Sequence, residues 1–209
     1  MDIREITVTD QQAGPYGIAA GPDGALWCTE MNTDRIVRLS PGGDLTEFAL
    51  PVAKAFASAI TAGPDGALWF TLNQANAIGR CTTAGVITLH ELPTPGAAPV
   101  GIAATDEAIW FVEIGAGQVG RISPGGRIDE FPLPDRAARP HAIVAAGDGG
   151  CWFTEWGAGR IAHITATGEI TEHDLPTPKS VPHGLTVGPD GNIWAALEIG
   201  GVAVTNHAR

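Results

Sequence analysis

Two histidines, His141 and His183, stand at the same point of a pattern that recurs five times. They lie in ARPHAIVAAGDGGCW and VPHGLTVGPDGNIW; the stretches GPYGIAAGPDGALW, AFASAITAGPDGALW and GAAPVGIAATDEAIW put Tyr16, Ser58 and Val100 in that slot. An imidazole titrates near neutral pH, so it can take or give a proton there. A second series, three residues after each tryptophan of the pattern, reads Glu30, Leu72, Glu113, Glu155 and Leu197, with Glu198 one step further on. Two imidazoles, a phenol and carboxylates converging on one concave mouth could do acid–base work or hold a divalent cation. The plainer reading is a set of solvated polar side chains, and position decides between the two. His90, His163, His173 and His207 fall on outer strands or the tail and read as surface residues.

The elements that must position these residues follow from the repeat. Trp27, Trp69, Trp110, Trp152 and Trp194 are 42, 41, 42 and 42 residues apart, and Leu-Pro pairs at 50–51, 92–93, 133–134 and 175–176 keep the same step. Each unit divides into four short strands, with Asp-Gly and Gly-Gly at the joints supplying the positive φ of tight turns. Four antiparallel strands at this period form a β-propeller blade, and stacking the blades buries the tryptophans between them. The expected fold is therefore all-β, a propeller of five blades over residues 1–209 as one domain. The last repeat stops after its third strand, and residues 1–8 resemble the missing outer strand. N- and C-terminal strands would then share the last blade and close the ring. In such a ring the slot residues circle one mouth of the central channel.

A formal net charge of −11 argues against nucleic acid and against an anionic membrane surface. No apolar run approaches the length of a membrane-spanning helix. The opening MDIREITVTD lacks the apolar core of a secretion signal, so a cytoplasmic location is expected. Cys28, Cys81 and Cys151 are odd in number, lack a CxxC spacing and read as small buried hydrophobes of a reducing compartment. A ring that closes would be a monomer; one that fails to close would expose apolar blade faces and oligomerise.

At the level of motifs, GPYGIAAGPDGALW, ALWFTLNQANAIGR, AIWFVEIGAGQVGRI, ARPHAIVAAG, WFTEWGAGRIA and VPHGLTVG resemble the virginiamycin B lyase, or streptogramin lyase, family along essentially the whole chain. The resemblance implies a propeller, seven-bladed in the family. It also implies a Mg²⁺-dependent elimination that opens type B streptogramins, small cyclic depsipeptide antibiotics, at their ester. It assigns His183 as general base, His141 and Tyr16 to substrate binding, and Glu198 to magnesium. Two departures stand out. The alignment runs from the family's first blade straight to its fourth across ALPVAKAFASAI, and closing five blades in place of seven would open the angle between them from about 51° to about 72°. Val181 also occupies a position where the family carries a second metal-binding glutamate. Two readings stay open: a lyase of this kind, or a non-catalytic propeller that binds a small peptide or a protein partner at its mouth.

Overall fold

The computed structural model describes residues 5–7 and 12–205. Five antiparallel sheets follow one another along the chain, with no helix among the described residues. The first holds β1 (Pro15–Ala20), β2 (Leu26–Glu30), β3 (Arg35–Leu39) and β4 (Leu45–Ala49). The second holds β5 (Ala57–Ala62), β6 (Ala67–Leu72), β7 (Ala77–Thr82) and β8 (Ile87–Glu91). The third holds β9 (Pro99–Ala104), β10 (Ile109–Glu113), β11 (Gln118–Ile122) and β12 (Ile128–Pro132). The fourth holds β13 (Pro140–Ala145), β14 (Cys151–Glu155), β15 (Arg160–Ile164) and β16 (Ile170–Asp174). The fifth holds β17 (Pro182–Val187), β18 (Ile193–Leu197) and β19 (Gly201–Val204). Each sheet is one blade in simple up-and-down order.

The turns form where the sequence places them. Gly24, Gly66 and Gly191 of the PDG turns and Gly43 and Gly126 of the PGG turns all have positive φ, which glycine adopts without steric cost. The aspartate of the PDG turn also fixes the tryptophan. Asp23, Asp65 and Asp190 accept hydrogen bonds from the indole Nε1 of Trp27, Trp69 and Trp194 at 3.1, 2.9 and 3.1 Å. Arg38 and Arg80 pair with the first two of these aspartates at 2.6 and 2.7 Å while lying over the rings of Trp27 and Trp69. A short turn thus sets the rotamer of the largest core side chain.

Blades pack through their inner strands in the order β1–β5, β5–β9, β9–β13 and β13–β17. Among the described residues β17 makes no comparable packing on β1, so the five blades form an arc rather than the closed ring expected from the repeat count. The expected fourth strand of the last blade is not formed by residues 5–7. They carry no strand, and Ile6 sits beside Gly24, Leu26, Leu39 and Pro41 of the first blade. The rest of the 1–8 segment, and His207, lie outside the described residues. Among the described residues the outer edge of β19 pairs with no strand, and it borders a groove of about 630 Å³ that also touches Trp152, Leu175 and His173.

The cysteines behave as expected: all three are free thiols, with Cys81 and Cys151 buried and Cys28 partly so. Of the outer-strand histidines, His173 is exposed as expected, whereas His90 and His163 are half-buried. His90 stacks on Trp69 at 5.5 Å, and His163 and His173 pack on Trp152 at 5.0 and 5.5 Å. His163 also reaches Asp148 at 3.1 Å. In these blades an imidazole covers the outer side of the tryptophan, as Phe48 and Phe131 do for Trp27 and Trp110.

Candidate active site

Every inner strand carries the same distortion at the slot. Pairing with the neighbouring strand slips between Pro15 and Ile18, Ala57 and Ile60, Pro99 and Ile102, Pro140 and Ile143, and Pro182 and Leu185. Such bulges re-aim a side chain out of the regular alternation. The residue just before each strand has positive φ: Gly14 63°, Phe56 55°, Ala98 51°, Arg139 52° and Val181 51°. A kink and a bulge, repeated five times, thus present the slot residue to the channel.

The amide released by the bulge is satisfied by a buried threonine of the adjacent strand. Thr29, Thr71 and Thr154 accept from the backbone N–H of Gly17, Ala59 and Ala142 at 2.9, 3.2 and 3.0 Å. The same hydroxyls donate onward to the slot carbonyl of the next blade, at Ser58, Val100 and His183; the last bond is 2.9 Å. Thr154 therefore ties the His183 backbone to the His141 bulge. Thr154→Val keeps the shape, which the third blade already accommodates as Val112, but leaves the half-buried Ala142 N–H and His183 carbonyl without this partner. A loss of about 1–3 kcal/mol of stability is expected in urea unfolding, with Thr154→Ser restoring most of it. A loss equal in both variants would show that packing, not the hydroxyl bridge, matters here.

The slots converge as expected. Tyr16, Ser58, Val100 and His141 line a channel cleft of about 320 Å³ together with Phe56 and Asn73. His183 lies against His141, with ring centroids 4.1 Å apart, and His183 Nε2 is 3.7 Å from a carboxylate oxygen of Glu198. The His183 and Glu198 side chains are about half exposed, at 48% and 51%. Burial pushes the His141 pKa down and the neighbouring His183 pushes it further, against a weaker pull from Glu198. Its Nδ1 is buried without a hydrogen-bond partner. Tyr16 and His183 belong to opposite ends of the arc. The phenol therefore faces His141 across the cleft instead of standing beside His183, as a closed ring would have had it.

The second series does not join this site. Glu30, Glu113 and Glu155 are fully buried at the ends of β2, β10 and β14, not arrayed at the mouth. Glu30 accepts a hydrogen bond from Thr33, and Glu113 accepts one from Gln118 Nε2 at 2.6 Å. Burial raises the Glu113 pKa to about 7. Burial and the negative charge of Glu172 raise Glu155 to about 8, even with Arg160 3.5 Å away. A carboxylate that tends to keep its proton is a poor cation ligand, which counts against Glu155, and Glu30 is fully buried at the end of β2 with Thr33 as its donor, away from the mouth. No group of three or more His, Cys, Asp or Glu side chains poised for a metal occurs among the described residues. Among the described residues, Glu198 is the carboxylate that meets the histidine pair. One is enough for Mg²⁺, which keeps several waters and often binds through one or two carboxylates plus substrate oxygens.

Residues 2–205 match the sequence model of the virginiamycin B lyase family. The virginiamycin B lyase of Nocardia farcinica is 47% identical over 135 residues, 65% of this chain and 47% of that protein. The Saccharopolyspora erythraea protein of the same name is 58% identical over 50 residues, 24% of this chain and 17% of its own length. A streptogramin B lyase structure superimposes with a TM-score of 0.87 at 47% identity, covering 90% of this chain and 63% of that one. A catalytically inactive histidine-to-alanine variant of the Staphylococcus aureus enzyme, solved with quinupristin, superimposes with a TM-score of 0.88 at 44% identity, covering 95% of this chain and 68% of that one. The chain thus spans about half the length of the Nocardia relative and about two thirds of the solved ones. By its match to the family's sequence model over residues 2–205 and by its blade structure, the chain belongs to the virginiamycin B lyase family.

Proposed function

We propose that this chain opens the ester of a cyclic depsipeptide of the type B streptogramin class by elimination, at the channel mouth formed by His141, His183 and Glu198. The observation that carries the reading is the placement of His183 against His141 and 3.7 Å from the Glu198 carboxylate, beside an open channel. The imidazole of His183 takes the proton on the carbon α to the carbonyl. The electron pair of the broken Cα–H bond forms the α,β double bond as the β C–O bond breaks, and the acyl group leaves as a carboxylate. No water is added. His141, held toward its neutral form, offers a hydrogen-bonding imidazole without a second positive charge beside the base. Tyr16, from across the cleft, packs against the bound ring. Mg²⁺ held by Glu198 would supply positive charge to the enolate-like transition state.

The test is mass spectrometry of a type B streptogramin incubated with the protein, with and without EDTA. A linear product of unchanged mass that EDTA abolishes is the expected result. A product heavier by one water would mean hydrolysis. Unchanged antibiotic from folded protein would favour the second reading, a propeller that binds peptide without catalysis. Val181 is the observation on that side, because it removes a carboxylate that the family resemblance places there.

Val181 has a further consequence. It is β-branched and held at φ 51°, a conformation that crowds a branched side chain. Val181→Glu relieves the branching and returns a second carboxylate next to His183. Magnesium affinity measured by calorimetry is expected to rise roughly tenfold or more, the scale on which ligand charge tunes such sites. Unchanged affinity would remove Glu198 and position 181 from the metal assignment.

A further inference from the structure

The four junctions between blades share one construction. Trp27 lies in a buried cluster with Ile60 of the next blade, Trp69 with Ile102, Trp110 with Ile143, and Trp152 with Leu185. One strand further out, Ile36, Ile78, Val119 and Ile161 are buried as well. Each junction therefore joins a tryptophan face on one blade to an aliphatic face on the next.

Among the described residues one face of each kind is left uncovered. On the fifth blade Trp194 is 36% exposed, where the other four tryptophans of the series are 0–9% exposed, and Val202 is 66% exposed. On the first blade Ile18 is 65% exposed, where Ile60, Ile102 and Ile143 are 8–9% exposed, and Leu26 is 42% exposed. The backbone repeats the message. A Cβ on Gly17 or Gly101 would meet the slot carbonyl of the following blade at 2.5 or 2.6 Å, whereas Gly184 faces open space. The two faces belong to the same arc but do not meet. The arc superimposes on 90–95% of its length with solved relatives that are about half as long again, so its curvature is theirs.

We propose that these faces dock two copies of this chain head to tail, with Trp194 and Val202 of one copy packed on Ile18 and Leu26 of the next. The partner follows from the chain itself. Four times over, what covers a tryptophan face here is an aliphatic face of the same repeat, and each copy has one of each to offer. The contact is heterologous, so it continues from copy to copy. Five blades do not fit in the plane of the gap, and the assembly therefore widens into a larger ring or steps into an open chain. The interface is apolar, and it is independent of the catalytic reading.

Sedimentation velocity of the full chain, from nanomolar to high-micromolar concentration, tests this. The expected result is a mass that rises with concentration from the 21.6 kDa monomer to twice that or more. Trp194→Glu and Ile18→Glu should each stay monomeric alone. Mixed in equal amounts they should form a dimer and nothing larger, because one intact face remains on each. Val202→Glu and Leu26→Glu form a second pair should either of the first variants fail to fold by circular dichroism. A wild-type chain that stays monomeric throughout would overturn the proposal, as would a mixture that stays monomeric with both variants folded. Self-association surviving in Ile18→Glu alone would mean that like faces pair, and would overturn it too.

Discussion

His183→Ala is expected to lower kcat/KM for ring opening by about 10²- to 10⁴-fold, the usual contribution of a positioned general base. The loss should fall on kcat, since the imidazole acts on the proton transferred in the transition state and the channel walls still hold the ring. Stability should barely change. The His183 side chain is about half exposed, and the bond that anchors this residue runs from Thr154 to the backbone carbonyl, which alanine keeps. Chromatography of the linear product gives the rate, and a thermal melt gives the stability. A variant that melts normally and keeps the full rate would transfer the base role elsewhere, with His141 the next group in the pocket.

The second large effect concerns two tryptophans that are equivalent by sequence and unequal by structure. Trp69→Ala should cost about 3–5 kcal/mol, the range for deleting a fully buried large side chain. Trp69 has no exposed surface, donates its indole N–H to Asp65, lies under Arg80 and stacks on His90. Trp194→Ala should cost well under half of that in dilute solution. Its outer face is open, although the bond to Asp190 is kept. Urea unfolding at low protein concentration measures both. Equal costs would mean that Trp194 is buried in the isolated chain and that the arc is closed after all. A cost for Trp194→Ala that grows with protein concentration would instead point to the head-to-tail contact.

Much of this was readable from residues. The tryptophan period and the PDG and PGG turns specify strands and blades because turn geometry and hydrophobic alternation are local properties. The slot series was readable for the same reason: a bulge recurring at one point of each repeat aims Tyr16, Ser58, Val100, His141 and His183 alike. The glutamate series had the same regularity and misled. Glu30, Glu113 and Glu155 pair across the sheet with Pro15, Pro99 and Pro140. Period alone does not say whether the side chain at such a position turns to the channel or into the space between blades. Their repetition in unbroken LWCTE, IWFVE and CWFTE runs was the available signal, because a carboxylate locked into a core strand is more often a buried structural group than a ligand.

The sequence by itself determined the blade, the number of blades and the identity of the residues at the channel mouth, since each depends on contacts within one repeat of about 42 residues. Whether the blades close, and so which slot residues face one another, was decided by tertiary structure. The angle between blades is set by the volume of Trp, Ile and Leu side chains wedged at each junction, and a close-packed wedge does not open merely because a chain has fewer blades. The four junctions keep the curvature of longer relatives, Tyr16 and His183 end at opposite ends of the arc, and Trp194 and Ile18 are left facing solvent.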